Sequence, residues 1–147
     1  SAGSKVAFDS NYRPQLWDNV AAARRTVQAM WDITDIALPS VDDEMALFGD
    51  LAEAAVIDRF AGRDWDGIAI KRGMRGPVSP GLDPEAHPDF PPAARVIDTT
   101  AAGDSFNGGY LAAFLAGKGE AERLAAGHAL AARVVGVPGA ILPRRDI

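Results

Sequence analysis

The chain has 147 residues, 48% hydrophobic and 24% charged, the balance of one globular domain with a core of its own. Its net charge of −5 argues against a nucleic-acid partner, and the absence of cysteine excludes disulfides and thiolate chemistry. No apolar run approaches the roughly 20 residues of a membrane span and no signal peptide opens the chain, so a cytoplasmic protein with no membrane partner is expected.

Residues 1–4 are small and carry no signal, and residues 5–9 read as a strand. Opening directly on a strand leads us to expect earlier strands of the sheet outside this sequence. A polar cluster follows in FDSNYRPQLW, residues 8–17, at the carboxyl end of that strand, where open α/β sheets bind ligands. Arg13 offers a planar fork for a carboxylate or phosphate, although on the residues alone the simpler role of Asn11 and Arg13 is to tie down the turn before Pro14. Residues 17–31 form an expected amphipathic helix with Trp17, Val20, Ala21, Val27, Met30 and Trp31 on its apolar face. Residues 36–38 read as a strand stopped by Pro39.

The stretch LPSVDDEMALFGD, residues 38–50, predicts a helix with Ser40 as cap and acids in its first turn, which suit the helix dipole. Residues 51–60 predict a further helix and residues 67–71 a buried strand. The turn Lys71, Arg72, Gly73, Met74, Arg75, Gly76 combines basic side chains with glycines; it suits a nucleotide and a solvated hairpin turn equally. Six prolines in residues 77–92 rule out a helix there and point to a surface loop. His87 lies alone in it and is given no metal or catalytic role.

Most of the chemistry is expected from VIDTTAAGDSFNGGYLAAFLAG, residues 96–117. Val96 and Ile97 suit a short buried strand, the next residues a small-residue turn, and Asp104 a helix N-cap. Phe106, Tyr110, Leu111 and Phe114 follow at helical spacing. Such a turn directs backbone N–H groups and the positive end of a helix dipole at one spot, where anions bind. A carboxylate placed there would repel a phosphate, unless its task is to take a proton from a hydroxyl attacking that phosphate. On local grounds alone, capping is the simpler role for Asp104. Residues 120–135 predict a second long helix, with His128 at its polar–apolar boundary as a surface or packing residue, and residues 136–141 a turn. Alternation of strands and helices argues for a mainly parallel sheet covered on both faces.

DTTAAGDSFNGGYL, residues 98–111, resembles the C-terminal signature of the PfkB, or ribokinase-like, carbohydrate kinases. The resemblance implies the C-terminal portion of a three-layer α/β/α fold over residues 1–147, with the family's lid absent. It implies Asp104 as catalytic base and the backbone of Ala101, Ala102 and Gly103 as an anion hole for the transferred phosphoryl group. DSNYRPQLW resembles the matching segment of the ketodeoxygluconate kinases of that family. This implies Asn11, Tyr12 and Arg13 beside the nucleotide phosphates, with Arg13 also near a sugar acid. The turn from Lys71 through Gly76 is implied to border ATP, and Gly139 and Ala140 of the P-G-A-x-x-P segment to line the site. In the family's N-x-x-E position stand Ser40 and Asp43, which makes Asp43 an implied magnesium ligand through water.

The implied activity is transfer of the ATP γ-phosphate to the terminal hydroxyl of 2-keto-3-deoxygluconate. Its cofactors are ATP and magnesium, with a monovalent cation as a further candidate, and the full-length enzyme is expected to be a homo-oligomer. Another PfkB kinase acting on a neutral hexose, and a catalytically inactive nucleotide-binding fragment, are the alternatives. This chain alone is expected to have little turnover.

Overall fold

The computed structural model describes residues 3–142. It divides into two compact units, one holding the residues up to Arg72 together with Val78–Gly81, the other Gly73–Pro77 and the residues from Leu82 on.

The first unit is built on a parallel sheet. Its strands are β1 (Ala7–Phe8), β2 (Ile36–Ala37) and β3 (Gly67–Ile68), in the order β1-β2-β3, with Ala7 opposite Ile36 and Ala37 opposite Ile68. Pairing continues past β3: the Lys71 amide donates to the Pro39 carbonyl at 2.8 Å and the Val41 amide to the Lys71 carbonyl at 2.9 Å. That continuation carries the chain from β2 into the start of the next helix. Helix α1 (Val20–Asp32) joins β1 to β2; α2 (Val41–Phe48) and α3 (Glu53–Ala61) join β2 to β3. Both connections step the same way along the sheet, so the right-handed crossover rule puts their helices on one face.

Helix α1 begins three residues later than the pattern predicts. Asn19 caps it, its side chain accepting from the Ala22 amide at 2.9 Å, and the preceding Pro14–Leu16 forms a single 3-10 turn. Its buried stripe is Ala23, Val27 and Trp31, at spacing four. Ala21 lies about 200° around the helix from Ala23 and faces out, against expectation. Val20 is also exposed, and Trp17 stands before the helix. Trp31 is the centre of the core, its ring edge-on to Phe8 at 4.6 Å and to Phe60 at 5.1 Å. Gly49, in the left-handed region at φ 83°, ends α2.

The second unit is a helical hairpin, α4 (Ala102–Leu115) and α5 (Glu120–Val134), with the proline-rich chain laid along it. Two glycines set how closely the helices approach. A β-carbon on Gly109 would lie 2.6 Å from the Ala126 carbonyl oxygen, and one on Gly127 would lie 2.8 Å from the Phe106 ring. Phe106 and Tyr110 are buried between the helices, and the Tyr110 hydroxyl donates to Glu120 at 2.7 Å. His128 is half-buried, its Nε2 2.7 Å from the Pro91 carbonyl oxygen and its ring 5.2 Å from that of Phe90, the packing role of the two expected for it. His87 is half-buried, with Nδ1 3.1 Å from the Asp83 carbonyl oxygen.

Residues 96 and 97 do not form the buried strand that their β-branched side chains predict. Val96 is 59% and Ile97 48% exposed. The amides of Ile97 and Asp98 donate to the Val135 carbonyl at 2.7 and 3.2 Å, so the end of α5 satisfies the donors that a neighbouring strand would have taken. Among the described residues no helix is long and apolar enough to cross a membrane.

Candidate functional site

In the second unit the signature folds as a clasped turn ahead of α4. One oxygen of Asp98 accepts from the Thr100 amide at 2.8 Å and the other from the Gly139 amide at 3.0 Å. The Thr100 side chain, followed by these two amides, holds the Asp98 carboxyl below its usual titration range. The loop that carries Gly139 and Ala140 is thereby tied to the turn. Pro143, which closes the P-G-A-x-x-P segment, lies outside the described residues. Asp98 was not singled out from the sequence, although an Asp two residues before an amide it accepts from is a common turn device.

Ala101 takes the left-handed conformation, φ 59° and ψ 17°, which costs a residue with a β-carbon about 1–2 kcal/mol. That single reversal lets α4 begin at Ala102. Asp104 is therefore not the N-cap predicted for it: Ala101 holds the cap position, with no side-chain cap bond, and Asp104 is the third helical residue. The Ala102 amide is turned to the Thr99 carbonyl at 3.2 Å and the Ser105 amide to Ala101 at 2.8 Å. The amides of Gly103 and Asp104 lie between them in the first turn, where an α-helix leaves its donors without intrahelical partners. Asp104 is exposed, and its carboxylate takes part in no hydrogen bond or ion pair among the described residues.

In the first unit a second set of predicted residues gathers beyond the carboxyl ends of β1 and β3 and at the start of α2. Lys71 Nζ pairs with Asp9 Oδ2. Arg13 Nη1 donates to the Tyr12 carbonyl at 2.8 Å and to Asp43 Oδ1 at 3.2 Å. Burial pushes the Asp43 carboxyl above its usual range, against the opposing pull of Arg13. Asn11 is exposed and left-handed, φ 38°, with its amide donating to Asp9 Oδ1 at 3.2 Å. Tyr12 is 7% exposed and packs in the core, so only its backbone faces the cluster. Arg13 and Asp43, expected to meet different ligands, touch each other here.

Ser40 stands at the cap position of α2 but makes no side-chain cap bond. Glu44, in the same first turn, is fully buried. It accepts from Ser10 Oγ at 2.7 Å and from Arg59 Nη1 at 2.7 Å, and burial raises its carboxyl above the usual range. Of the basic turn, Arg72 Nη1 pairs with Glu53 Oε1 at 3.0 Å. Met74 is 90% exposed and Arg75 is exposed. Gly73 and Gly76 are left-handed at φ 58° and 74°. A β-carbon on Gly76 would lie 2.5 Å from the Phe90 ring, so the turn requires glycine on both counts.

Among the described residues no group of three or more His, Asp or Glu side chains is arranged to hold a metal by itself. Magnesium keeps several waters and uses one or two carboxylates together with phosphate oxygens, so the half-buried Asp43 suits an outer ligand of that kind.

Residues 1–147 match the family model for pfkB family carbohydrate kinases. The chain is 40% identical over 146 residues to 2-dehydro-3-deoxygluconokinase of Escherichia coli K12, covering 97% of this chain and 47% of that relative. It is 39% identical over 145 residues to the protein of the same name from Dickeya dadantii, covering 96% and 46%. Among solved structures, a putative ribokinase II from E. coli in complex with ATP and Mg2+ superposes with a TM-score of 0.78 at 26% identity, covering 95% of this chain and 44% of that one. The chain spans about half the length of the curated relatives it matches. A parallel α/β sheet, the clasped turn with its carboxylate, and a family match running through every residue lead to one conclusion: the chain belongs to the pfkB family of carbohydrate kinases.

Proposed function

We propose that residues 1–147 are the nucleotide-binding and catalytic portion of an ATP-dependent kinase acting on the terminal hydroxyl of 2-keto-3-deoxygluconate. The observation that carries this reading is Asp104, an exposed carboxylate in the first turn of α4, set directly after a left-handed residue that opens the helix start. Asp104 accepts the hydroxyl proton as the sugar oxygen bonds to the γ-phosphorus and the bond to ADP breaks. The turn from Ala101 through Gly103 holds negative charge that builds on the phosphoryl oxygens.

Arg13 gives the sugar a reason to be an acid, since its guanidinium binds a carboxylate or phosphate with two parallel bonds. Lys71, Arg72 and the turn from Gly73 through Gly76 border the nucleotide with Asn11 and Tyr12, and Gly139 and Ala140 contribute backbone. Asp43 would hold magnesium through water, and the ion would supply positive charge to offset that of the phosphates. The names of the relatives at 39–40% identity support the substrate. A cytoplasmic location and a homo-oligomeric full-length enzyme belong to the same reading, and assays with and without potassium test a monovalent cation.

The test is phosphorylation by the full-length gene product of 2-keto-3-deoxygluconate and of fructose, with the product's phosphate located by NMR. Preference for the sugar acid at its terminal oxygen is expected; preference for fructose would move the reading to a neutral-hexose kinase. Residues 1–147 alone are expected to turn over little, and brisk activity from them would show that the rest is dispensable.

A further inference from the structure

Glu44 is a puzzle for a purely structural account of α2. It is fully buried, and taking a carboxylate out of water is costly even with a partner. An apolar side chain at this position would join α2 to α3 without that cost. Arg59 answers one of its oxygens and is itself shared: Nη2 bonds Asp50 Oδ2 at 2.5 Å, and the guanidinium lies 4.5 Å from the centre of the Phe48 ring. The other oxygen of Glu44 receives the hydroxyl of Ser10, 34 residues earlier in the chain. An apolar residue cannot make that directional bond.

Ser10 lies in the segment that leaves β1, and this segment is pinned to its surroundings at three successive places. Asp9 pairs with Lys71, Ser10 with Glu44, and Arg13 with Asp43. Two of the three anchors are neighbours on α2, so they fix both the height of the segment over the helix and the side from which Arg13 meets Asp43. Between them Asn11 is held in a left-handed conformation that a free chain would leave.

We propose that Glu44, held by Arg59, is a positioning residue: acting through Ser10, it sets the segment from Asp9 to Arg13 so that Arg13 and Asn11 present to ligand in one arrangement. The proposal rests on the kinase reading for its kinetic consequence but not for its structural one. Glu44→Ala would also strip Arg59 of its buried partner and loosen α2 from α3, so Ser10 is the better lever. Ser10→Ala removes one hydroxyl; Ser10→Thr keeps it.

The experiment measures hydrogen exchange and steady-state kinetics on the full-length gene product and on both variants, with Asp104→Asn as the control for the kinase reading. In Ser10→Ala the amides of Asn11, Tyr12 and Arg13 are expected to exchange about tenfold faster while those of α1 and α2 hold. The KM for the sugar acid should rise about tenfold with kcat changed less than about twofold, the signature of lost uniform binding. Ser10→Thr should restore both. Unchanged exchange overturns the proposal, and so does faster exchange with an unchanged KM. If the wild-type enzyme phosphorylates no sugar acid, the kinase reading fails instead, and the exchange measurement alone decides whether Glu44 holds the segment.

Discussion

In the first unit the charged groups at the strand ends are already paired, Lys71 with Asp9 and Arg13 with Asp43, whereas in the second Asp104 stands exposed with no partner among the described residues. The first unit joins its residues by bonds between side chains; the second shapes its turn through main-chain groups, the two amides that the Asp98 carboxylate clasps and the left-handed Ala101. The contrast suits the chemistry proposed for each. Groups that only hold a ligand lose little by being prepaired, since a ligand can exchange one ionic partner for another. A proton acceptor must keep its lone pairs available, and main-chain scaffolding leaves them so.

Four substitutions probe the contrast, in falling order of expected effect. Asp104→Asn in the full-length enzyme should lower kcat by roughly 10²–10⁴-fold, with the melting temperature unchanged, because an exposed side chain is lost from chemistry rather than from packing. Glu44→Ala should cost about 3 kcal/mol in urea unfolding, because it leaves Arg59 facing a buried gap. A cost near zero would mean that the buried bonds of the first unit contribute no order. Gly109→Ala should destabilise by about 1–3 kcal/mol, since its new methyl meets the backbone of α5 rather than a side chain that can swing away.

The smallest effect is the pH response of the Asp98 clasp. Its carboxyl titrates below the ordinary range in the folded protein, so its stabilisation is present above that range and is lost as pH falls through the lowered value. Acidification should therefore lower the protection of the Thr100 and Gly139 amides, measured against their intrinsic exchange rates at each pH, and Asp98→Ala should abolish that dependence.

How far these features could be read from the chain follows from how local their causes are. Helices α2, α3 and α5 are written in periodic apolar residues and short breaks, and the structure places them within two residues of the expected ends, whereas α4 begins three residues before the start that an Asp104 cap predicts. The candidate base was legible through the resemblance of residues 98–111 to the family signature, since on local grounds a carboxylate in that turn reads first as a cap. Its position in the helix was not, since alanine seldom adopts the left-handed region and nothing in the pattern marks Ala101 as the exception. The strand at residues 96–97 was a propensity without a pairing partner, and propensity yields to whichever acceptor the backbone finds. Glu44 looked like one more acid at a helix start. Its burial depends on Arg59, 15 residues on, and Ser10, 34 residues back, which no local window joins. The same distance hid the pairing of Lys71 with Asp9, 62 residues apart.

The central claim is that Asp104 serves proton transfer and not nucleotide binding, and a calorimetric titration of ATP with magnesium into the wild-type and Asp104→Asn enzymes, run beside a turnover assay, tests it most directly. Removing a negative charge from beside a phosphate should leave ATP affinity equal or higher while turnover collapses. Loss of ATP binding, or turnover that survives the substitution, would contradict it.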